Sequence, residues 1–400
     1  MRGIGVGVGK LGLVLGLAVL GGCDGELDEL LGVETHFVKL DKEPAEVAAF
    51  ATALADELNF DLVHTYDNAS EGFAARFPAF LSEDIQRIDG VAYVIGDEDV
   101  ERLPPEEQPG EPVDDPVDLL DGDEIPPSIL RVGGAYGGPL AGIEVAVVDS
   151  GVDAAHPDLN VMADIDLVAQ SGGRAAPGGD PNGHGTHVAG TIGAKANNDG
   201  VAGVAPGVKV HAVRVLDAAG SGYWTDIVAG LEYVLEHPEI RVVNLSLGGP
   251  LYDGPDPLSD AVQRLEDAGV VVVIAAGNEA QDTNNVAPAG YDLGIVVSAY
   301  DAEGGDNGFA GFSNFGDAVD IAAPGVDIPS TYPGGTYTTM SGTSMATPLV
   351  AGAAVAYLAQ NPDATPADVR RALVSTGEDG YAGQGGKHPE PLIDIEALLQ

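Results

Sequence analysis

Positive charge is scarce in this chain of 400 residues: 17 lysines and arginines stand against 63 aspartates and glutamates, a formal net charge of −46. Such a surface repels phosphate backbones, so nucleic acid is not an expected partner. Cysteine is nearly absent as well, and the single Cys23 leaves no internal disulfide to staple the fold. No long apolar run marks the N-terminal region, where LGLVLGLAVLGG (11–22) falls short of the roughly 20 residues that cross a bilayer. No solenoid-type repeat is found either. What is present is an aliphatic chain longer than one compact domain needs, and two or more domains are expected.

Arg2 and Lys10 precede that short apolar run, so residues 1–22 read as an export signal. The segment Leu20-Gly21-Gly22-Cys23 resembles a bacterial lipobox, in which the cysteine is lipidated and becomes the new N-terminus. Residues 23–34 would then tether the precursor to the cell-envelope membrane. An ordinary cleaved signal with an incidental thiol, or an uncleaved anchor, are the other readings.

From Glu101 to Glu124 the chain carries ten carboxylates and one arginine, interleaved with Pro104, Pro105, Pro109, Pro112 and Pro116. Self-repelling charge and proline keep a chain extended and solvated, so residues 97–127 are expected to be a linker. Before it, HFVKL, FDLVHTY, GFAARF and VAYVI read as strands. Val47, Phe50, Ala51, Leu54 and Leu58 lie on one helix face, and AFLSEDIQRID reads as a second helix. The order βαββαβ predicts a small ferredoxin-like α+β module over residues 35–96. After the linker, EVAVVD, VKVHAVRV, RVVNLSL and VVVVIAAG are nearly continuous apolar runs separated by helical segments. That is the pattern of an α/β domain, a parallel sheet covered by helices on both faces, over residues 128–400. One of its helices turns Ile227, Leu231, Val234 and Leu235 to a single face, and another opens with Thr365 as N-cap, Pro366 and Asp368.

Ligands in such sheets sit beyond the carboxyl ends of the strands. Asp149 ends one strand, in VAVVDSGVD, where it is either held by a functional partner or caps a turn. His184 opens a helix in NGHGTHVAGTIGAK, with His187 three residues on. There is no HExxH pattern and no third ligand nearby, so zinc is not expected and His187 reads as a packed helix residue. The stretch SGTSMATP (341–348) offers four hydroxyls. Ser341 lies in a turn, and Thr343 and Thr347 have capping or packing as default roles. Ser344 falls where an apolar helix begins, beside its own N–H and the positive end of the helix dipole, the surroundings a developing oxyanion needs. A serine needs an imidazole base, and the base needs a carboxylate to fix its tautomer. Asp149, His184 and Ser344 fill these roles. Their chain order is not that of the α/β-hydrolases, and GTSMA lacks the last glycine of the GxSxG elbow.

The segments VVDSGVD, HGTHVAG, AAGN and GTSMATP, in this order, make residues 128–400 resemble the subtilase family of serine proteases. The resemblance implies a subtilisin-like fold, a triad of Asp149, His184 and Ser344, and an oxyanion hole formed by the Asn278 amide and the Ser344 N–H. It implies no cofactor for catalysis. Residues 35–95, notably GFAARF and GVAYVI, resemble the family's inhibitor-like propeptide, which plugs the active site until it is cut away. Gly220-Ser221-Gly222 and Leu247-Gly248-Gly249 would flank an extended polypeptide substrate as two edge strands, although plain turn glycines fit the same pattern. Trp224 would line a pocket for the fourth residue before the cut, unless it is a core residue. Ser246 to Gly249 and Ala275, Ala276, Gly277 and Asn278 would wall the primary pocket, with Val286 near its base. Small apolar walls imply an endopeptidase preferring large apolar side chains, and Glu279 at the rim could admit a basic one. A structural calcium would be held by Asp158, Asn197 and the carbonyls of Lys195, Asp199 and Val201, the alternative being a solvated loop. The mature domain is expected to be secreted. The rival function is an inactive subtilase-like lipoprotein that only binds peptides or partner proteins.

Overall fold

The computed structural model describes residues 32–41, 44–96, 99–101, 125–140, 142–168, 179–251, 254–302, 308–378 and 388–400. The expected export signal, Cys23 and the acidic run 102–124 lie outside the described residues.

The N-terminal unit follows the predicted order: β1 (Val33–Leu40), α1 (Pro44–Leu58), β2 (Asp61–Tyr66), β3 (Gly72–Pro78), α2 (Ser82–Gln86) and β4 (Val91–Gly96). Its antiparallel sheet runs β2-β3-β1-β4. Val47, Ala51 and Leu54 of α1 pack on Val38, Phe73, Ala75 and Phe77, so the predicted face is the buried one. Two boundaries shift. β1 begins at Val33, inside the stretch assigned to the tether, and AFLSEDIQRID is not one helix but a 3-10 turn at Ala79–Leu81 followed by the short α2. On this stretch Ile85 and Ile88 are buried, whereas Phe80 is exposed.

The larger unit is built on a seven-stranded sheet in which β15 (Ile321–Pro324), β14 (Ile295–Tyr300), β12 (Val271–Ala275), β10 (Ile240–Leu245), β6 (Glu144–Asp149), β8 (Lys209–Arg214) and β7 (Val161–Asp166) lie side by side in that order, every pairing of which is parallel. Its central strands are β6 (Glu144–Asp149), β8 (Lys209–Arg214), β10 (Ile240–Leu245) and β12 (Val271–Ala275). Along β6, Val145 and Val147 face one core while Ala146 and Val148 face another. Both faces are apolar because both are covered, which is why the sequence runs lack alternation. Helices α4 (His184–Gly193) and α7 (Thr343–Gln360) fill the first core. Helices α5 (Trp224–Glu236) and α6 (Pro257–Asp267) fill the second. Helix α7 is buried nearly all round, as an element apolar on every side must be. Helix α8 (Pro366–Thr376) starts with a reciprocal capping box between Thr365 and Asp368. No described helix is long and apolar enough to cross a membrane.

The small unit docks on α5 and α6. His64 Nε2 lies 2.9 Å from the buried Asp226 Oδ1, and the Tyr66 hydroxyl donates to the Thr225 carbonyl at 3.0 Å. Lys39 pairs with Asp260 at 3.1 Å. The expected linker is corrected at both ends: Asp99–Glu101 form a strand, β5, and α3 (Pro127–Arg131) starts one residue early. Strand β5 pairs antiparallel with β9 (Ser221–Tyr223), Val100 opposite Gly222, and it also lies against β11 (Gly249–Pro250). Charge does not prevent this, because edge pairing is made by backbone groups.

Candidate active site

Three elements converge at the carboxyl end of the sheet. Asp149 is the last residue of β6, His184 the first of α4, and Ser344 the second of α7. His184 Nδ1 lies 2.8 and 2.9 Å from the two Asp149 oxygens. Both partners are acceptors, so Nδ1 carries the proton and Nε2 the lone pair. The approach depends on Gly185, where a Cβ would lie 2.1 Å from the Gly151 carbonyl oxygen. His184 Nε2 is buried and has no hydrogen-bond partner. Ser344 Oγ donates to the Ser246 carbonyl at 3.4 Å, a long and weak contact.

Asn278 is pinned from the opposite side. Thr343 N–H and Oγ1 donate to Asn278 Oδ1 at 2.9 and 3.1 Å, while Thr343 Oγ1 accepts from Gly277 N–H at 3.1 Å. The backbone donor identifies the oxygen, so Nδ2 takes the other end of the amide. A Cβ built on Gly342 would stand 3.6 Å from Asn278 Nδ2 and 3.7 Å from Ser344 N, so the two donors border one small space. Thr347 donates to the Thr343 carbonyl at 2.8 Å, and Ser341 Oγ accepts from Asp327 N–H at 2.9 Å. Neither hydroxyl reaches the imidazole. His187 is packed: its Nε2–H donates to the Ile328 carbonyl at 2.9 Å, and burial holds its pKa down to about 3.

Most of the residues expected to bind substrate lie on β9, on β11 and on the segments that leave β10 and β12. Ser221 and Gly222 lie on β9, Gly220 precedes them with φ +82°, and Gly249 starts β11. Ser246, Leu247 and Gly248 lead from β10 into β11, and Ser246 Oγ donates to the Ser344 carbonyl at 2.9 Å. Ala275 ends β12, and Ala276, Gly277 and Asn278 follow it. Val286 pairs with Pro250 behind β11. Trp224 opens α5 and lines a small pocket with Val228, Leu258 and Tyr291, closed from the N-terminal unit by Phe37 and Ile95.

The expected calcium loop is compact. Asp158 is 1% exposed, and its carboxylate accepts from Asn197 Nδ2 at 2.9 Å, Val201 N–H at 3.2 Å and the Tyr337 hydroxyl at 3.3 Å. Burial pushes this carboxyl above the ordinary range, with no lysine or arginine bridged to it. A buried carboxylate met by neutral groups suits a cation, but here Asp199 N–H donates to Asn197 Oδ1 at 2.9 Å, so the Asn197 amide turns Nδ2 and not its oxygen toward Asp158. Lys195 does not interfere, because its ammonium is 2.8 Å from the Pro157 carbonyl. Among the described residues, one His and acid group has metal-like spacing, Glu144, His211 and Glu239. It sits at the opposite end of the sheet, and Lys209 already pairs with Glu144 at 2.7 Å.

Sequence reasoning passed over Asp180, Ser150 and Glu232, whose contacts join segments far apart in the chain. No local motif marks them.

Residues 141–389 match the subtilase family and residues 35–102 the peptidase inhibitor I9 family. The chain is 44% identical over 261 residues to subtilisin E of Bacillus subtilis (strain 168), covering 64% of this chain and 66% of that protein. It is 44% identical over 261 residues to a subtilisin of Bacillus pumilus, covering 91% of it. The crystal structure of a cold adapted subtilisin-like serine proteinase superimposes with TM-score 0.56 at 34% identity, over 69% of this chain and 97% of the other. With the matched residues spanning the sheet, the helices and all three converging side chains, the chain belongs to the subtilase family.

Proposed function

We propose that this protein is a serine endopeptidase made as an autoinhibited precursor. The observation that carries the reading is the buried Asp149–His184 pair, whose Nε2 has no hydrogen-bond partner, with Ser344 at the head of α7, a helix packed against α4. Ser344 Oγ attacks the scissile carbonyl carbon as its proton passes to His184 Nε2. The carbonyl oxygen takes the electron pair and is stabilised by Asn278 Nδ2 and Ser344 N–H. His184 then gives the proton to the leaving amine as the C–N bond breaks; a water molecule, losing its proton to the same Nε2, bonds to the acyl carbon, and the C–Oγ bond breaks as His184 returns that proton to Ser344 Oγ. Asp149 orients the imidazole and stabilises its charged form throughout.

The chain's own residues 99–101 lie where an extended peptide would, between β9 and β11. This supports a precursor that occupies its own cleft, with the maturation cut beyond Glu101. Small walls at Ser246 to Gly249 and Ala275 to Gly277 favour large apolar side chains before the cut, and Glu279 at the rim admits a basic one. Calcium at Asp158, Asn197 and the carbonyls of Lys195, Asp199 and Val201 would supply a positive charge that cross-links the loop to the 156–159 turn. If Cys23 is lipidated, the anchor lies on the propeptide side of the cut, so maturation also releases a secreted enzyme from the membrane. Mature, propeptide-free enzyme remaining on salt-washed membranes would refute release.

A fluorophosphonate probe tests the central reading. Covalent labelling that requires Ser344, together with full-length precursor accumulating in Ser344→Ala, is the expected result. No labelling, or normal processing of Ser344→Ala, would favour the inactive peptide-binding alternative or processing by another protease.

A further inference from the structure

Asp149 and His184 are separated by a long stretch of chain, so their register is not set by covalent connection. Something must hold the first turn of α4 against the end of β6. The first turn of a helix leaves its N–H groups without intrahelical partners, and its N-cap here, Gly183, has no side chain to offer. The missing acceptors come from elsewhere. Asp180, 8% exposed, takes the Gly183 N–H on Oδ1 at 2.8 Å and the Thr186 N–H on Oδ2 at 2.8 Å. The Thr186 hydroxyl donates to the same Oδ2 at 2.8 Å, and Asn182 N–H reaches Oδ1 at 3.1 Å.

The fifth donor comes from the strand. Ser150 follows Asp149, and its hydroxyl donates to Asp180 Oδ1 at 2.8 Å while accepting from Gly185 N–H at 3.1 Å. Ser150 N–H in turn donates to Asp149 Oδ1 at 2.6 Å. A continuous set of bonds therefore runs from the Asp149 carboxylate through Ser150 and Asp180 to the residues on either side of His184. Asp180 touches neither the imidazole nor any reacting atom.

We propose that Asp180 is the positioning residue of the catalytic pair, a brace whose carboxylate fixes the start of α4 relative to β6 so that His184 Nδ1 meets Asp149. This rests on reading Asp149, His184 and Ser344 as a triad. A carboxylate suits the role because it only accepts, and all five groups facing it donate. Asparagine would turn an N–H₂ toward at least one of those donors and force the turn apart.

Two readouts separate positioning from general support. In full-length Ser344→Ala, which needs no processing, the low-field proton resonance of His184 Nδ1–H reports the bond to Asp149. Asp180→Asn should broaden or displace it, and so should Ser150→Ala, which cuts the brace without changing charge. In mature enzyme, Asp180→Asn should lower kcat about 10- to 100-fold with KM within about threefold, the pattern of a small misplacement of catalytic groups. Thr186→Val should reproduce the effect, and Thr186→Ser, which restores the hydroxyl, should recover most of it. Val369→Ala, a core truncation in α8, controls for stability loss. If the resonance is unmoved in Ser150→Ala and Asp180→Asn, or Val369→Ala moves it as much at equal loss of melting temperature, the brace is refuted. Should Asp180→Asn fail to fold, Ser150→Ala and the Thr186 pair decide alone. Absence of fluorophosphonate labelling in the wild-type chain would instead remove the triad reading itself.

Discussion

Replacing Glu232 by alanine should release the propeptide without touching catalysis. Glu232 lies on α5, 7% exposed, and its carboxylate receives the Asn68 N–H at 3.0 Å on each oxygen, the Asn68 amide at 2.6 Å and the Ala69 N–H at 2.5 Å. Alanine leaves three donors facing a void as long as the two units stay docked, and each regains water once they separate. The loss therefore falls on the docked state. Hydrogen bonds to a charged acceptor contribute about 1.5–3 kcal/mol each, and they are not additive. Taking the low end for each donor and allowing water to reach Asn68 gives about 3–4 kcal/mol, roughly a 100- to 700-fold weaker docking constant. The assay is inhibition of mature enzyme by the propeptide added as a separate chain, at pH 8, with Glu232→Ala against wild type. Hydrolysis of a short peptide should be unchanged, because Glu232 contacts no residue of the triad. An inhibition constant within fivefold of wild type would refute the reasoning, as would an equal loss in peptide hydrolysis.

Acid should weaken the fold through His187, whose pKa burial holds down to about 3. A base with a depressed folded-state pKa contributes fully above its ordinary value near 6.5, and the contribution is lost as pH falls from there toward 3. The loss is about 1.4 kcal/mol per pH unit, or roughly 2.7 kcal/mol at pH 4.5. Urea denaturation of the Ser344→Ala chain at pH 7.5 and 4.5 should show that difference, and His187→Gln should flatten it; equal slopes in both chains would contradict it. Chelating calcium should lower the melting temperature by roughly 5–10 °C, the effect of losing an ion present at about 100 times its dissociation constant. Peptide hydrolysis at low temperature should not change, and Asp158→Asn should abolish the chelator's effect. An Asp158→Asn chain that still responds would place the ion elsewhere.

Much of the fold was legible because the physical constraint is local. Strands covered on both faces must be apolar throughout, and EVAVVD and VVVVIAAG are. The α1 face and the Thr365 cap were readable from spacing alone. The acidic β5 was not: its pairing is made by backbone groups that every residue owns, so DVE carries no strand pattern and its acidic neighbourhood suggested a solvated chain. AFLSEDIQRID misled for the opposite reason, since its composition suits a helix while the chain forms a 3-10 turn at Ala79–Leu81 and only a short helix after it.

The sequence by itself determined which residues the proposed chemistry would use. Ser344 at a helix start, His184 at another and Asp149 at a strand end are each marked by the residues beside them, because a nucleophile, a base and an orienting carboxylate need particular local backbones. Only the tertiary structure decided what holds those groups together. Asp180 reads in sequence as an ordinary turn aspartate, Ser150 as a residue in a glycine turn, and Glu232 as one more charge on a helix. Their partners come from segments distant along the chain, and a hydrogen bond between such segments leaves no periodicity or spacing in either one. The same holds for residues 99–101, whose place between β9 and β11 is set by where two units dock.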